Sequence, residues 1–478
     1  MIEGDPNLNE APIDEKDRYN KWILGPLEYF LLVKRNRRYR LYLVSHLCQH
    51  AGDWFIRIAS LLTVERLAPD SGNALSVLVV VKIVPQVFLS HLGGALADKY
   101  DRRKIMLALD CIGAVAVLFF LVAIRFESLP IFYAVIGIRA TIHSLYEPAT
   151  KSIVPMIVPE PSSLKRAATI NSLAWAFMLV MGGVIAGDST AYIGVQVCFI
   201  IDSVTYFISA MVISSLKGDF AVVHRNDPTP SIGVFPVIEE GLNAELSDVR
   251  PPRSMYRLRF TCQPLVTFCQ MLKELILYLH MSGFGGLVFL KASGSLIWGP
   301  ADILNVSFSH VSGDEMETSK RLGYMFSCLG IGYALGPIAT NVFTDATHPK
   351  TLQLVCVSSF IFMMIGWIGL SQAPTFNGIL ALTIVRAFGS GIIWLNSTLL
   401  LQMLSKPDLL GRVLALEFSL AMLVDAAVAT VTGKLHDNGF TASQLSSGAG
   451  ALSGLMFATW SIYHLFGRGA ARKVFNEQ

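Results

Sequence analysis

The feature that most constrains this chain is a series of apolar stretches, each close to 20 residues long and separated by short polar intervals. About 20 predominantly apolar residues are needed to cross a bilayer as a helix. No segment alternates apolar and polar residues with a period of two, so we expect helices rather than a barrel. The sequence predicts twelve spans: 41–64, 74–97, 105–125, 130–150, 167–187, 192–215, 285–308, 322–343, 352–371, 378–402, 413–433 and 446–466.

The composition supports an integral membrane protein and excludes other classes. Of the 478 residues, 53% are hydrophobic and only 15% are charged, whereas soluble domains carry roughly a quarter charged residues. The net charge of +3 is too small to indicate a nucleic-acid partner. The seven cysteines form no CxxC pair, so neither a disulfide framework nor a zinc site is indicated, and we expect no cofactor.

Lysine and arginine collect in alternate loops, and this bias predicts the orientation of the chain. One side would carry both termini and the basic turn that follows the second span. The positive-inside rule makes this side cytoplasmic. Its cations are Lys34, Arg35, Arg37, Arg38, Arg40, Lys99, Arg102, Arg103, Lys104, Lys165, Arg166, Lys406, Arg412, Arg468, Arg472 and Lys473.

The predicted spans fall into two related halves. Asp98 and Asp345 end equivalent spans, Arg139 and Arg386 lie inside equivalent spans, and each pair is separated by 247 residues. Duplicated halves around a midplane site are a recurring transporter design. We therefore predict a cytoplasmic segment 1–40 with an interfacial helix, a six-helix half 41–215, a cytoplasmic linker 216–284, a second six-helix half 285–466 and a cytoplasmic tail 467–478.

The turn GGALADKYDRRKIM (93–106) packs unusual charge between two apolar spans. It resembles the loop between spans two and three of the major facilitator superfamily, G-x-L-a-D-r-x-G-R-r, with Asp101 in place of the glycine. Gly52-Asp53-Trp54 and the ADKYDRR stretch are similar to the branch that holds the enterobactin exporter and macrolide efflux proteins. The resemblance implies an all-α membrane fold of twelve helices in two pseudo-symmetric halves.

The same resemblance implies that the turn is a conformational latch formed by Gly94, Asp98, Arg102 and Arg103. Gly94 would let two helices approach closely, as small residues do in membranes. Asp98 would meet the N-terminus of the eleventh helix, where the helix dipole favours an anion. The alternative is that these charges only set topology. The second-half copy keeps Asp345 but loses both arginines, so we expect a weaker latch there.

Ionisable residues inside the spans are costly and point to function. The candidates for the coupling or substrate cavity are Asp53, Arg57, Arg139, Asp302, Arg386 and Asp425. Asp53 and Arg57 lie one turn apart, so we expect them to pair, or Asp53 to exchange a proton. Asp110 and Glu417 fall near cytoplasmic ends, where solvation is the expected explanation.

Arg139 lies where drug antiporters of the resembled family carry an arginine in a motif close to RxxQG. Here the residues are Arg139-Ala-Thr-Ile-His143, without the glutamine and glycine. The following span also lacks the antiporter proline. Export by proton antiport therefore follows from overall likeness rather than from intact antiporter motifs.

These observations predict a monomeric, plasma-membrane secondary transporter, working by alternating access, that exports an apolar organic solute of drug or siderophore type. Its partners would be that small molecule, the lipid bilayer and protons. A lipid or metabolite transporter of the same fold, or a non-transporting sensor or scaffold, remains an alternative. We expect no enzyme, since no nucleophile or metal constellation is present, and no ATP-driven pump, since no Walker loop is present.

Overall fold

The computed structural model of the protein describes residues 29–218, 220, 285–344, 348–405 and 407–466, and these residues contain helices and no strands. The first half consists of α1 (Arg37–Leu67), α2 (Gly72–Lys99), α3 (Arg102–Arg125), α4 (Leu129–Ile157), α5 (Pro161–Ile193) and α6 (Val195–Ser214). The second half consists of a short turn of 3₁₀-helix (Gly285–Val288) followed by α7 (Phe289–Trp298), α8 (Ala301–Ser309), α9 (Glu315–Phe343), α10 (Pro349–Gln372), α11 (Phe376–Leu404), α12 (Pro407–Asp437) and α13 (Ala442–Phe466).

Among the described residues, ten segments are long and apolar enough to cross a membrane. The 3₁₀ turn, α7 and α8 together form one of them, Gly285–Ser309. Two long helices fall outside the ten: α1, which contains Asp53 and Arg57, and α13, which begins with a run rich in serine and glycine. The multi-pass helical architecture is confirmed, while the count of twelve spans stays a prediction.

Several predicted elements lie outside the described residues. Most of the linker 216–284, the tail 467–478 and residues 1–28 of the predicted cytoplasmic segment 1–40 belong to this group. Residues 29–35 are helical. Asp345 also lies outside the described part of the chain.

The apolar core shows where the two halves join. One buried cluster combines first-half residues such as Trp54 and Leu75 with second-half residues such as Ile303, Phe326 and Ala429. A second cluster lies wholly in the second half, and a third lies wholly in the first half, near the basic turn. The halves therefore share a core over part of their length and keep separate cores elsewhere.

Glycines allow the close approach of the halves on that shared side. A Cβ atom at Gly72 of α2 would lie 2.8 Å from the carbonyl oxygen of Gly433 in α12, and one at Gly323 of α9 would lie 2.6 Å from that of Gly183 in α5. Such contacts between backbones are typical of small residues in membrane helices. We call the end of the bundle where Gly72 meets Gly433 the sealed end, and the opposite end, which carries residues 98–104, the charged-turn end.

Gly94, near the charged-turn end, behaves differently from the expectation. A Cβ atom there would meet nothing within 4 Å among the described atoms, whereas one at Gly93 would lie 2.7 Å from the carbonyl oxygen of Ser144 in α4. In this conformation the close helix contact is made by Gly93, and it stays within the first half.

Candidate functional site

Three helices of the first half bring an arginine and two carboxylates together. Arg139 of α4 donates to Asp53 of α1, with Nη2 2.6 Å from Oδ1, and its Nε lies 3.4 Å from Oδ2 of Asp202 in α6. Asp202 is almost fully buried. Gly52 makes room for it, because a Cβ atom at Gly52 would overlap the Asp202 carboxylate. The glycine and aspartate of the GDW stretch thus serve one ion-pair network.

The expected pairing of Asp53 with Arg57 is wrong. Arg57 turns away from its own half and pairs with Asp302 of α8, with Nη2 2.8 Å from Oδ1 and 3.1 Å from Oδ2. Its guanidinium carbon lies 4.8 Å from the ring centroid of Phe326 in α9. The aromatic ring and the carboxylate of the second half direct the side chain across the interface, while Arg139 satisfies Asp53.

Arg386 of α11, the repeat counterpart of Arg139, has a different environment. It donates to Oδ1 of Asn305 at 2.7 Å, and its guanidinium carbon lies 4.4 Å from the ring centroid of Trp367. Arg386 is buried, and within the described part of the chain no carboxylate lies within ion-pair distance of it. An arginine therefore occupies the equivalent position in each half, but its partners differ between the halves.

Around the Arg57–Asp302 pair, four charged side chains have their cations on the first half and their anions on the second. Arg57 and Lys82 come from the first half, and Asp302 and Asp425 come from the second. Lys82 and Asp425 are half-buried and lie in the electrostatic field of Arg57 and Asp302. Among the described residues, Arg57 and Asp302 form the ion pair that joins the halves. No group of three or more His, Cys, Asp or Glu residues within the described ranges could hold a metal ion.

Two carboxylates expected to be solvated are buried instead. Asp110 accepts a hydrogen bond from Ser209 at 2.7 Å and another from Gln49. Glu417 forms an ion pair with Lys291 at 3.1 Å, and both side chains are almost fully buried. The expectation failed because polar partners on neighbouring helices satisfy these carboxylates inside the bundle. The signal available in the sequence was Lys291, a cation inside a predicted span that needs an anion nearby.

The charged turn is tied to the end of α6. Asp101 caps α3 by accepting from the backbone N–H of Arg103 at 2.9 Å, which gives a structural reason for aspartate at this place in the loop. Arg103 donates to the carbonyl oxygens of Ile213 at 3.2 Å and Ser214 at 2.6 Å. Arg102 donates to the carbonyl of Phe220 at 3.0 Å. Arg103 therefore binds the carbonyl end of α6, where cations are favoured, and Arg102 binds the segment that follows it.

The part of the expected latch that would reach the second half is not described. The side chain of Asp98 lies outside the described residues. The hydrogen bonds that Arg103 donates to Ile213 and Ser214 stay within the first half. A contact between Asp98 and the start of α12 therefore stays a prediction.

Comparison with known proteins agrees with this architecture. The family model of the Major Facilitator Superfamily matches residues 43–429. Over 200 residues the chain is 24% identical to the uncharacterized MFS-type transporter YfiS of Bacillus subtilis (strain 168), which covers 42% of this chain and 47% of that protein. Over 210 residues it is 27% identical to the putative bacilysin exporter BacE of the same organism, which covers 44% of this chain and 50% of that protein. The chain thus matches about half the length of these relatives.

Solved structures share the fold at low identity. The crystal structure of the nucleoside transporter NupG superposes with a TM-score of 0.62 and 13% identity, over 89% of this chain and 98% of that one. The POT family transporter PepTSo superposes with a TM-score of 0.64 and 12% identity, over 91% and 98%. The family match extends over most of the sequence, and the helices, the membrane spans and these folds agree with it. This chain is a multi-pass helical membrane protein that belongs to the Major Facilitator Superfamily.

Proposed function

We propose that this protein is a secondary active exporter of an apolar organic solute, working by alternating access and driven by proton antiport. Both termini would face the cytoplasm, the host membrane would be the plasma membrane, and the protein would act as a monomer. The charged-turn end would then be cytoplasmic and the sealed end would face outward. The conformation described here would be open toward the cytoplasm.

The observation that carries this proposal is the ion pair between Arg57 and Asp302. It joins the two halves, and α1, which carries Arg57, also carries Asp53. Both side chains are about one quarter to one third exposed, so water or a solute can reach them. A pair in such a place can break when a solute or a proton competes for one partner, and the halves can then move relative to each other.

The distribution of the core supports a rocking motion. The shared cluster joins the halves on the sealed side, whereas the other two clusters each belong to one half. Each half can therefore rotate as a packed unit, and its own core stays intact. The interfaces that must open include close contacts between glycines and small residues.

Proton coupling is supported by the charge balance around Arg139. One guanidinium faces two carboxylates, Asp53 and Asp202, so the group carries an excess negative charge when both are ionised. An uncompensated charge is costly within a membrane, and a proton on either carboxylate would remove it. Asp53 is the more accessible of the two and is our choice for the proton carrier.

Export is supported by the resemblance of the loop and the GDW stretch to efflux proteins, and by the similarity to a protein named as a putative exporter. The test is accumulation of ethidium and erythromycin in cells that lack their main efflux pumps. Expression of the wild type should lower accumulation of at least one compound. Asp302→Asn, at matched abundance in the membrane, should not. Equal accumulation with wild type, with Asp302→Asn and with empty vector would contradict export of this solute class.

A further inference from the structure

A carboxylate of the second half caps a helix of the first half at the sealed end. Asp437, the last residue of α12, lies with Oδ1 2.6 Å from the backbone nitrogen of Gly72 and with Oδ2 3.1 Å from that of Asn73. Oδ2 also lies 3.5 Å from the hydroxyl oxygen of Ser71. Gly72 and Asn73 are the first two residues of α2.

This contact completes the N-terminus of α2. The first N–H groups of a helix have no partner within the helix, and the positive end of the helix dipole lies there. Ser71 caps only one of them, accepting from the N–H of Ala74 at 3.2 Å. Asp437 takes the N–H groups of Gly72 and Asn73, so the N-terminus of α2 is satisfied by groups from both halves.

The surrounding geometry makes the contact depend on closure of the sealed end. Gly72 packs against Gly433, one turn before Asp437 in α12, with no space for a side chain on either residue. The next turn of α2 presents Ser76, which is buried at the same interface. Separating the two helices would remove the carboxylate from α2 and expose both its N–H groups and Ser76.

We propose that Asp437 is a latch that holds the sealed end closed, and that its release from the N-terminus of α2 is required for that end to open. The proposal rests on the alternating access put forward above. Asp437 would set the ratio between the conformation with the sealed end closed and the one with that end open, and it would not contact the transported solute.

The test measures opening directly and needs no solute. In purified protein whose native cysteines are replaced by alanine, Ser76→Cys reports opening through its rate of reaction with a membrane-impermeant maleimide. We expect Asp437→Asn to raise this rate about threefold, because the amide keeps one acceptor oxygen but loses the charge that the positive end of the helix dipole favours. Asp437→Lys should raise it further, because a cation would face the positive end of the helix. Asp437→Glu, which keeps the charge, should stay nearest to the wild type.

The matched control is Asp314, which caps α9 through the N–H of Glu317 at 2.8 Å. It makes the same kind of bond, but within the second half. Asp314→Asn should leave the labelling rate within twofold of the wild type. An unchanged rate in both Asp437→Asn and Asp437→Lys would overturn the proposal, as would an equal rise in Asp314→Asn. Because transport is not measured, a failed export assay with a shifted labelling rate would reject the proposed function and keep the latch.

Discussion

The guanidinium of Arg57 in the first half holds the carboxylate of Asp302 in the second half through two contacts of 2.8 and 3.1 Å from one nitrogen. The pair lies beside Phe326, which packs in the core cluster that both halves share. An ion pair between two moving bodies links their positions to the charge state of either partner. In the proposed transport cycle, a change in the charge of Arg57 or Asp302 would therefore change how the two halves are arranged.

The first prediction concerns the energy of this pair. Arg57→Met and Asp302→Asn should each lower the free energy of unfolding, and the double variant should lose less than the sum of the two. The expected coupling is about 1–3 kcal/mol, below the value for fully buried pairs because both side chains are partly exposed. A double-mutant cycle from denaturant unfolding in detergent measures it. Additive losses would show that the two side chains do not interact.

The second prediction compares the two repeated arginines. Arg139→Met would leave Asp53 and the buried Asp202 without their cation, so we expect a loss of about 3–5 kcal/mol in the free energy of unfolding. Arg386→Met removes a buried cation whose hydrogen-bond partner, Asn305, is neutral, and should cost clearly less. Thermal unfolding of the two variants in the same detergent makes the comparison. An equal loss, or a greater loss for Arg386→Met, would show that the unpaired carboxylates do not determine the cost of removing the arginine.

The third prediction tests the proton carrier. Asp53→Asn keeps the shape of the protonated side chain and removes proton exchange. The variant should exchange solute passively but should not move it against a gradient. Proteoliposomes with an imposed pH gradient, loaded with whichever compound the accumulation assay identifies, provide the measurement. If the wild type ignores the gradient, transport is not driven by protons; if Asp53→Asn responds as the wild type does, the proton site lies elsewhere, with Asp302 and Asp425 next in line.

The fourth prediction separates a latch from a topology signal at the charged turn. Asp98→Asn should slow transport more than it lowers abundance, and it should make residues on the cytoplasmic side more accessible to cysteine probes. Asp101→Asn is the matched control, because Asp101 caps α3 within the same turn and asparagine caps a helix about as well; transport and accessibility should therefore stay near the wild type. Normal transport and unchanged accessibility in Asp98→Asn would leave the charges with a role in topology alone.

The sequence predicted the fold better than it predicted the contacts. Span length, the bias of basic residues and the offset between halves can be read from the order of residues alone. None of them requires knowledge of how the helices pack. The partner of Arg57 could not be found this way, because Asp53 is nearer along the helix and Asp302 lies 245 residues away. Only the packing of α1 against α8 and α9 decides between them.

The sequence also did not predict which single polar residues are buried. Asp110 and Glu417 lie near the ends of apolar spans, and position along a helix suggests solvation. Their burial depends on Ser209 and Lys291, which neighbouring helices place beside them. Asp437 carried no signal at all in the sequence, since its role comes from the meeting of two helix ends in different halves.

The most direct test of alternating access is a pair of distances measured by electron paramagnetic resonance on spin-labelled protein in lipid nanodiscs. Labels at Arg125 and Gln372 span the sealed end, and labels at Tyr100 and Lys350 span the charged-turn end. Gly323→Ala places a Cβ against the backbone of Gly183 and should disfavour closure of the sealed end. Gly94→Ala meets open space in this conformation and should favour the conformation described here, in which the sealed end is closed.

Halves that rock predict opposite changes at the two ends. In Gly323→Ala the distance across the sealed end should lengthen while that across the charged-turn end shortens. In Gly94→Ala the populations should move the other way or stay with the conformation described here. A sealed end that lengthens with no shortening at the charged-turn end would contradict alternating access, because it would mean that the substitution only loosens the contact between the halves.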